Sequence, residues 1–280
     1  MKKYFLSAII IAASLFASAQ VNMPAPSPTQ KIKQDFGMGE IVLTYSRPSL
    51  KERAVFGDKS ELAPLGQLWR TGANAATRLH FSDFVNIGGK NLDSGTYVLY
   101  TIPGEKQWTI IINKGIDNWG TDGYTDSLDV VRFTVPSYTL NIPPVETFTM
   151  GFSNLKPESC DLTMMWAKTA VMVPISTNIK ARLRTQIEDA LKNEKKPPYW
   201  QAANFYYEWD KNYDKALANV NAAIEKNQDA FYMYLLRAKI EKEQKNNASA
   251  LADAKKCKEL AAAQKNDDYV RQADKLIASL

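Results

Sequence analysis

The sequence predicts an α+β multidomain protein, with an antiparallel β-sandwich or jelly-roll-like domain first and an all-α helical repeat domain after it. Three observations carry that reading. Residues 30–174 are short alternating runs punctuated by Gly, Pro, Asn and Asp. After Pro174 the apolar period lengthens to about four residues, and residues 197–264 repeat with a period of 34.

The first nineteen residues precede both domains in character. Lys2 and Lys3, the apolar run from Phe5 to Phe16 and the small-x-small close Ala17-Ser18-Ala19 predict a cleaved secretory signal peptide. The apolar run is too short for a bilayer core of about 30 Å. A mature chain would begin at Gln20, which places the protein in the periplasm or outside the cell. Residues 20–29, with Pro24, Pro26 and Pro28, read as an extended Pro-rich leader.

Within 30–174, Lys31 to Phe36 and Glu40 to Tyr45 flank Gly37-Met38-Gly39, a hairpin signal. Leu79, Phe81 and Val85 alternate with polar residues. Tyr97 to Ile102 and Trp108 to Ile112 are separated by Pro103-Gly104-Glu105-Lys106, and Val130 to Val135, Thr147 to Phe152 and Leu162 to Trp166 continue the series. Eight or nine short strands without helical periodicity specify an all-β domain but leave its topology open.

Residues 175–280 are helical in pattern. Ser176 or Thr177 is placed to cap a helix with Ile179, Leu183, Ile187 and Leu191 on one stripe, stopped at Pro197-Pro198. With Pro197 as position one, Trp200, Tyr207, Ala216, Val220 and Ala223 recur 34 residues later as Tyr234, Glu241, Ala250, Ala254 and Cys257. The spacing resembles the tetratricopeptide repeat, whose small residues let two antiparallel helices pack closely. Asn204, Gln228 and Ala262 depart from its pattern. Two repeats, about 197–230 and 231–264, leave apolar faces open, and a helix over about 267–280 is the expected cap.

Charge and composition exclude several functions. The chain has 35 basic and 30 acidic residues, and removing Lys2 and Lys3 leaves 33 against 30. Neither half concentrates positive charge as a nucleic-acid footprint requires. No later stretch reaches eighteen apolar residues, so no transmembrane segment is expected. His80 is the single histidine, and Cys160 and Cys257 lie far apart, so no zinc set of three or four N/S ligands is expected. The acids Asp117, Asp122, Asp126 and Asp129 share one loop but miss the spacing of a calcium helix-loop-helix. Nucleotide and nucleophile motifs are absent, and no cofactor or catalytic residue is expected.

What remains is a set of guanidinium and aromatic groups on loops: Arg47, Arg53, Trp69, Arg70, Asn74, Trp119 and Tyr124. Guanidinium forks recognise carboxylates and phosphates, and Trp or Tyr faces stack on sugars. One reading makes these residues the rim of a site for a small anionic or saccharide-like ligand. The other has the arginines tying long loops to carbonyls and acids while Trp69 plugs one end of the sandwich.

Arg47-Pro48, Arg53 with Phe56-Gly57, the run Leu68 to Asn74 with Thr77, Ser94 to Tyr97, Ile102-Pro103-Gly104, Trp108 and Trp119-Gly120 together resemble the domain of unknown function 2911 family over about residues 28–174. The resemblance implies an exported β domain and supplies no catalytic residues. The sequence therefore predicts a non-catalytic binding module whose helical repeats hold a protein or peptide partner. A polymer-directed hydrolase using an unrecognised carboxylate pair, or a structural envelope scaffold, is the alternative.

Overall fold

The computed structural model describes residues 23–58 and 60–280. The signal peptide expected over 1–19 and the first residues of the leader lie outside the described residues. The chain divides into two compact units, one ending at Ser176 and one beginning at Thr177. Among the described residues, no helix is long and apolar enough to cross a membrane.

The first unit is built from β1 (Thr29–Phe36), β2 (Gly39–Ser46), β3 (Phe56–Gly57), β4 (Ala63–Pro64), β5 (Ala73–Phe81), β6 (Val85–Ile87), β7 (Lys90–Leu92), β8 (Gly95–Ile102), β9 (Gln107–Asn113), β10 (Asp129–Thr139), β11 (Val145–Lys156), β12 (Ser159–Ala167) and β13 (Thr169–Ser176). Eleven of these form one antiparallel sheet whose main path runs β1-β2-β5-β8-β9-β10-β13-β12-β11, with the β6–β7 hairpin attached to β13. Strands β3 and β4 pair separately and in parallel.

The hairpin expected around Gly37 is present, with Phe36 opposite Gly39 and Gly37 at φ 61°. That angle suits glycine because it has no Cβ to clash with its own backbone. Beyond β2 the chain turns to meet β11. Ser49 bridges Thr147, Leu50 N–H donates to Glu146 O at 2.9 Å and Phe148 N–H to Pro48 O at 2.8 Å. These contacts join opposite ends of the sheet, so it nearly closes into a barrel.

Alternation along the strands fills the interior. Leu43, Leu79, Phe81, Leu99, Ile110 and Ile112 meet Phe148, Leu162, Val171 and Val173, all fully buried, in one cluster. The outward-facing positions of a barrel ordinarily face water. Here Ala76, Val98, Tyr100 and Ile111 are buried in a second cluster with Leu68, Ile102 and Tyr124 against it. Strand β8 is therefore buried on both faces, and the connection from β9 to β10 supplies the outer cover.

Strand β13 follows the last run marked in the sequence, Leu162 to Trp166, and runs through Pro174 to Ser176. This shifts the start of the helical region: Ser176 belongs to the strand, and the first helix, α1 (Lys180–Asn193), has Ile179 rather than Ser176 or Thr177 in its N-cap position.

The second unit continues with α2 (Tyr199–Phe205), a π-helical turn over Tyr206–Asp210, α3 (Tyr213–Lys226), α4 (Phe231–Glu243), α5 (Asn247–Ala263) and α6 (Asp267–Ile277). The small residues that repeat at 34 are all core: Ala216, Val220 and Ala223 on α3, and Ala250, Ala254 and Cys257 on α5. Leu183, Ile187 and Leu191 of α1 pack on this core, as do Tyr269 and Leu276 of α6.

One Lys-Asn pair recurs at three turns, before α3, α5 and α6, but not between α3 and α4. Lys211, Lys245 and Lys265 adopt left-handed φ of 54°, 62° and 57°, ending one helix. The next residue, Asn212, Asn246 or Asn266, caps the following helix by accepting from the N–H of Lys215, Ser249 or Tyr269. Asparagine suits the cap because its side-chain carbonyl satisfies an N–H that the first helical turn leaves open. Cys160 and Cys257 are both buried free thiols, one in each unit.

Candidate functional site

The run Leu68 to Asn74 divides its side chains between the two faces of the barrel wall. Trp69 bridges Thr101 of β8 through two backbone hydrogen bonds of 2.8 and 3.0 Å, so its indole enters the interior. Its Nε1–H donates to Gly72 O at 3.2 Å, and the ring is enclosed by Phe56, Trp108, Phe148 and Trp166.

The backbone then reverses through Thr71 at φ 55°, Gly72 at φ 152° and Asn74 at φ 58°. A β-branched residue rarely takes positive φ, and buried hydrogen bonds hold Thr71 there. Its hydroxyl lies 3.1 Å from that of Thr101, and Thr77 Oγ1 donates to its carbonyl at 2.6 Å. At Gly72 a Cβ would lie 2.9 Å from Ser46 O, which reserves the position for glycine.

Arg70 takes the opposite face. Its Nη1 donates to Asn74 O at 2.8 Å, and the guanidinium packs on Gly120, where a Cβ would approach Arg70 Cζ to 2.6 Å. Asn74 Nδ2 in turn donates to Ser27 O, tying down the leader.

The connection from Lys114 to Leu128 closes over Arg70 and Tyr100. Buried Asn113 organises it by accepting from Gly115 N–H at 2.7 Å and donating to Thr125 O and Asp129 Oδ1 at 3.0 and 2.8 Å. Asn118 Nδ2 donates to the Tyr100 hydroxyl at 3.1 Å, while Tyr124 stands edge-on to the Tyr100 ring. The Tyr124 hydroxyl donates to Asp129 Oδ2 at 2.9 Å and accepts from Arg132 Nη2 at 2.6 Å. Burial, then the bond to Asp129, pushes that hydroxyl up to about 12.

On this fastened loop three apolar side chains face water. Trp119 is 64 % exposed, Leu128 40 % and Ile116 39 %. Trp119 immediately precedes Gly120, which receives Arg70.

A family model described as a protein of unknown function, DUF2911, matches residues 27–175, more than half of the chain. The chain belongs to this family. No curated protein and no solved structure matches it.

Within the DUF2911 domain the seven residues singled out in the sequence fall into separate places. Trp119 and Tyr124 lie on the Lys114–Leu128 connection and Arg70 packs against it, while Asn74 joins Arg70 only through its carbonyl and turns its side chain to Ser27 O. Arg47 instead bonds Phe148 O at 3.1 Å and Thr149 Oγ1 at 2.8 Å across the closing seam. Arg53 folds back on its own turn, donating to Leu50 O and Ser49 O. For Arg47, Arg53 and Trp69 the geometry is that of loop ties and a core plug.

Buried Asn113 and Tyr100, with Asn118 and Arg132, support this loop and are not singled out in the sequence, while Asp129, read there as one of four loop acids, serves as acceptor for Asn113, Tyr124 and Arg132. Their one signal was local: Asn and Gly alternate densely from Asn113 to Gly123, as a loop built on side-chain-to-backbone bonds requires. His80 lies outside this group, with Nδ1 3.0 Å from Thr96 Oγ1. Among the described residues, no three His, Cys, Asp or Glu side chains are grouped to hold a metal.

Proposed function

We propose that this DUF2911 protein is an exported, non-catalytic binding protein. Its β domain takes a small saccharide-like or anionic ligand at the Arg70–Trp119 surface, and its helical domain docks a protein or peptide partner. The observation that carries the first part is the exposure of Trp119 on a loop whose backbone is fixed by Asn113, Asn118 and Tyr124.

An exposed indole is unfavourable in water, and a rigid loop presents it without the ordering cost that weakens flexible contacts. Flat apolar faces of this kind stack on sugar rings, while the guanidinium of Arg70 supplies directional donors at the same place. For the helical domain, the buried small residues at a 34-residue period support a tetratricopeptide-like arrangement, and such helices bind partners through grooves. Residues 1–19 are the export signal in this reading, and the secreted form begins at Gln20.

Thermal-shift titration with neutral oligosaccharides and with carboxylated or phosphorylated sugars tests the β-domain site, since a ligand selective for the folded state raises Tm by mass action. Trp119→Ala should keep the unliganded Tm and lose the ligand-induced rise. An unchanged rise in that variant would place binding elsewhere.

A further inference from the structure

Glu241, on α4, occupies the 34-residue equivalent of Tyr207 and is 9 % exposed. Its Oε2 is buried and receives no hydrogen bond. Opposite it on α5, Asp253 is 8 % exposed and already committed to Arg237, whose Nε and Nη2 bond both carboxylate oxygens, the latter at 2.8 Å. Arg237 is held further by Asn221 of α3 through Nη1 at 2.8 Å, and its guanidinium lies over the Tyr234 ring.

The helix interface thus contains two buried carboxyl groups and one guanidinium. Asp253 uses the cation, which leaves Glu241 either as a proton donor to Asp253 or as a buried anion beside another anion. From the packed elements, Arg237 of α4 and Asp253 of α5 are the charged groups that act on Glu241; α3 brings the neutral Asn221 to Arg237. We propose that the α4–α5 hairpin is a pH-dependent element, closed while Glu241 carries a proton shared with Asp253 and loosened when that proton leaves.

Burial, and then the charge of Asp253, pushes the Glu241 carboxyl up to about 7 from an ordinary value of 4.5. Because the folded state holds the proton more tightly than the unfolded state, the stability that Glu241 contributes is full below pH 4.5. It declines as pH rises toward 7 and is constant above, where both states have lost the proton. Those limits correspond to a fall in the folding constant of about 300-fold.

The test is helical unfolding of the full chain, followed by circular dichroism at 222 nm between pH 4.5 and 8, for wild type and Glu241→Gln. The amide donates to Asp253 at every pH, so the variant should lose the decline that wild type displays. Parallel profiles would overturn the proposal. If the variant does not fold, carbon-13 titration of wild-type glutamate carboxyls decides: one resonance with its midpoint near pH 7 supports the proposal, and all midpoints below about 5.5 overturn it.

Discussion

Trp69 stacks on Trp166 with ring centroids 5.8 Å apart and an interplanar angle of 16°, although the two residues lie in strand regions almost a hundred positions apart. This contact, with Phe148 at 5.0 Å from Trp69, fixes the seam region of the barrel.

Trp69→Ala should therefore cost about 3–5 kcal/mol, the ordinary range for deleting a buried aromatic ring. Urea unfolding followed by near-ultraviolet circular dichroism measures it. A cost below about 1 kcal/mol would show that the ring is dispensable to the core.

Gly120 has φ +66° and its Cα faces the Arg70 guanidinium. Gly120→Ala should destabilise by about 1–2 kcal/mol through backbone strain and displacement of Arg70. In a double-mutant cycle with Arg70→Ala, the combined cost should be less than the sum, because the displaced group is gone. Strict additivity would contradict the contact.

The three Lys-Asn turns of the helical domain offer a stabilising change. Lys211, Lys245 and Lys265 sit at positive φ, so replacing each with Gly should gain about 0.5–1 kcal/mol where the glycine relieves strain. Asn246→Ala should lose about 1 kcal/mol by removing the cap on α5. Thermal melts of the single variants check both signs.

Both thiols are pushed up to about 11 by burial, Cys160 with a further push from Asp161 and Cys257 despite opposing effects of Lys239 and the Leu235 backbone. A thiol reagent at pH 8 should find neither in the native protein and two after denaturation. Rapid labelling of native Cys257 would mean that α5 opens readily.

Much of this architecture was legible because its signals are local. The hairpin at Gly37 and the change of period after Pro174 are each written within a few residues. The barrel closure was not, since Ser49 and Thr147 meet only after the whole sheet has curled. Nor could Pro174 be read as a strand residue, because a proline is tolerated in a strand only where its missing N–H is not needed, and sequence does not reveal that side.

At the candidate site the sequence marked Arg70 and Trp119 but could not separate them from Arg47 and Arg53. All are long side chains on loops, and each of these arginines ends on a backbone carbonyl; what sets Arg70 apart is the Gly120 backbone its guanidinium packs on, next to exposed Trp119. Asn113 was illegible for a related reason: an asparagine becomes a loop organiser only through bonds to Gly115, Thr125 and Asp129 that the fold creates.

Trp69 is buried and Trp119 exposed, and the proposed function gives the first to the interior and the second to a ligand. Nitrogen-15 spectra of the six indole N–H groups, assigned by single Trp→Phe variants and titrated with the saccharide panel, test it most directly. The account predicts a saturable shift of the Trp119 signal with Trp69, Trp108 and Trp166 nearly still. A panel that moves the helical-domain indoles Trp200 and Trp209 instead, or leaves Trp119 unmoved, would contradict it.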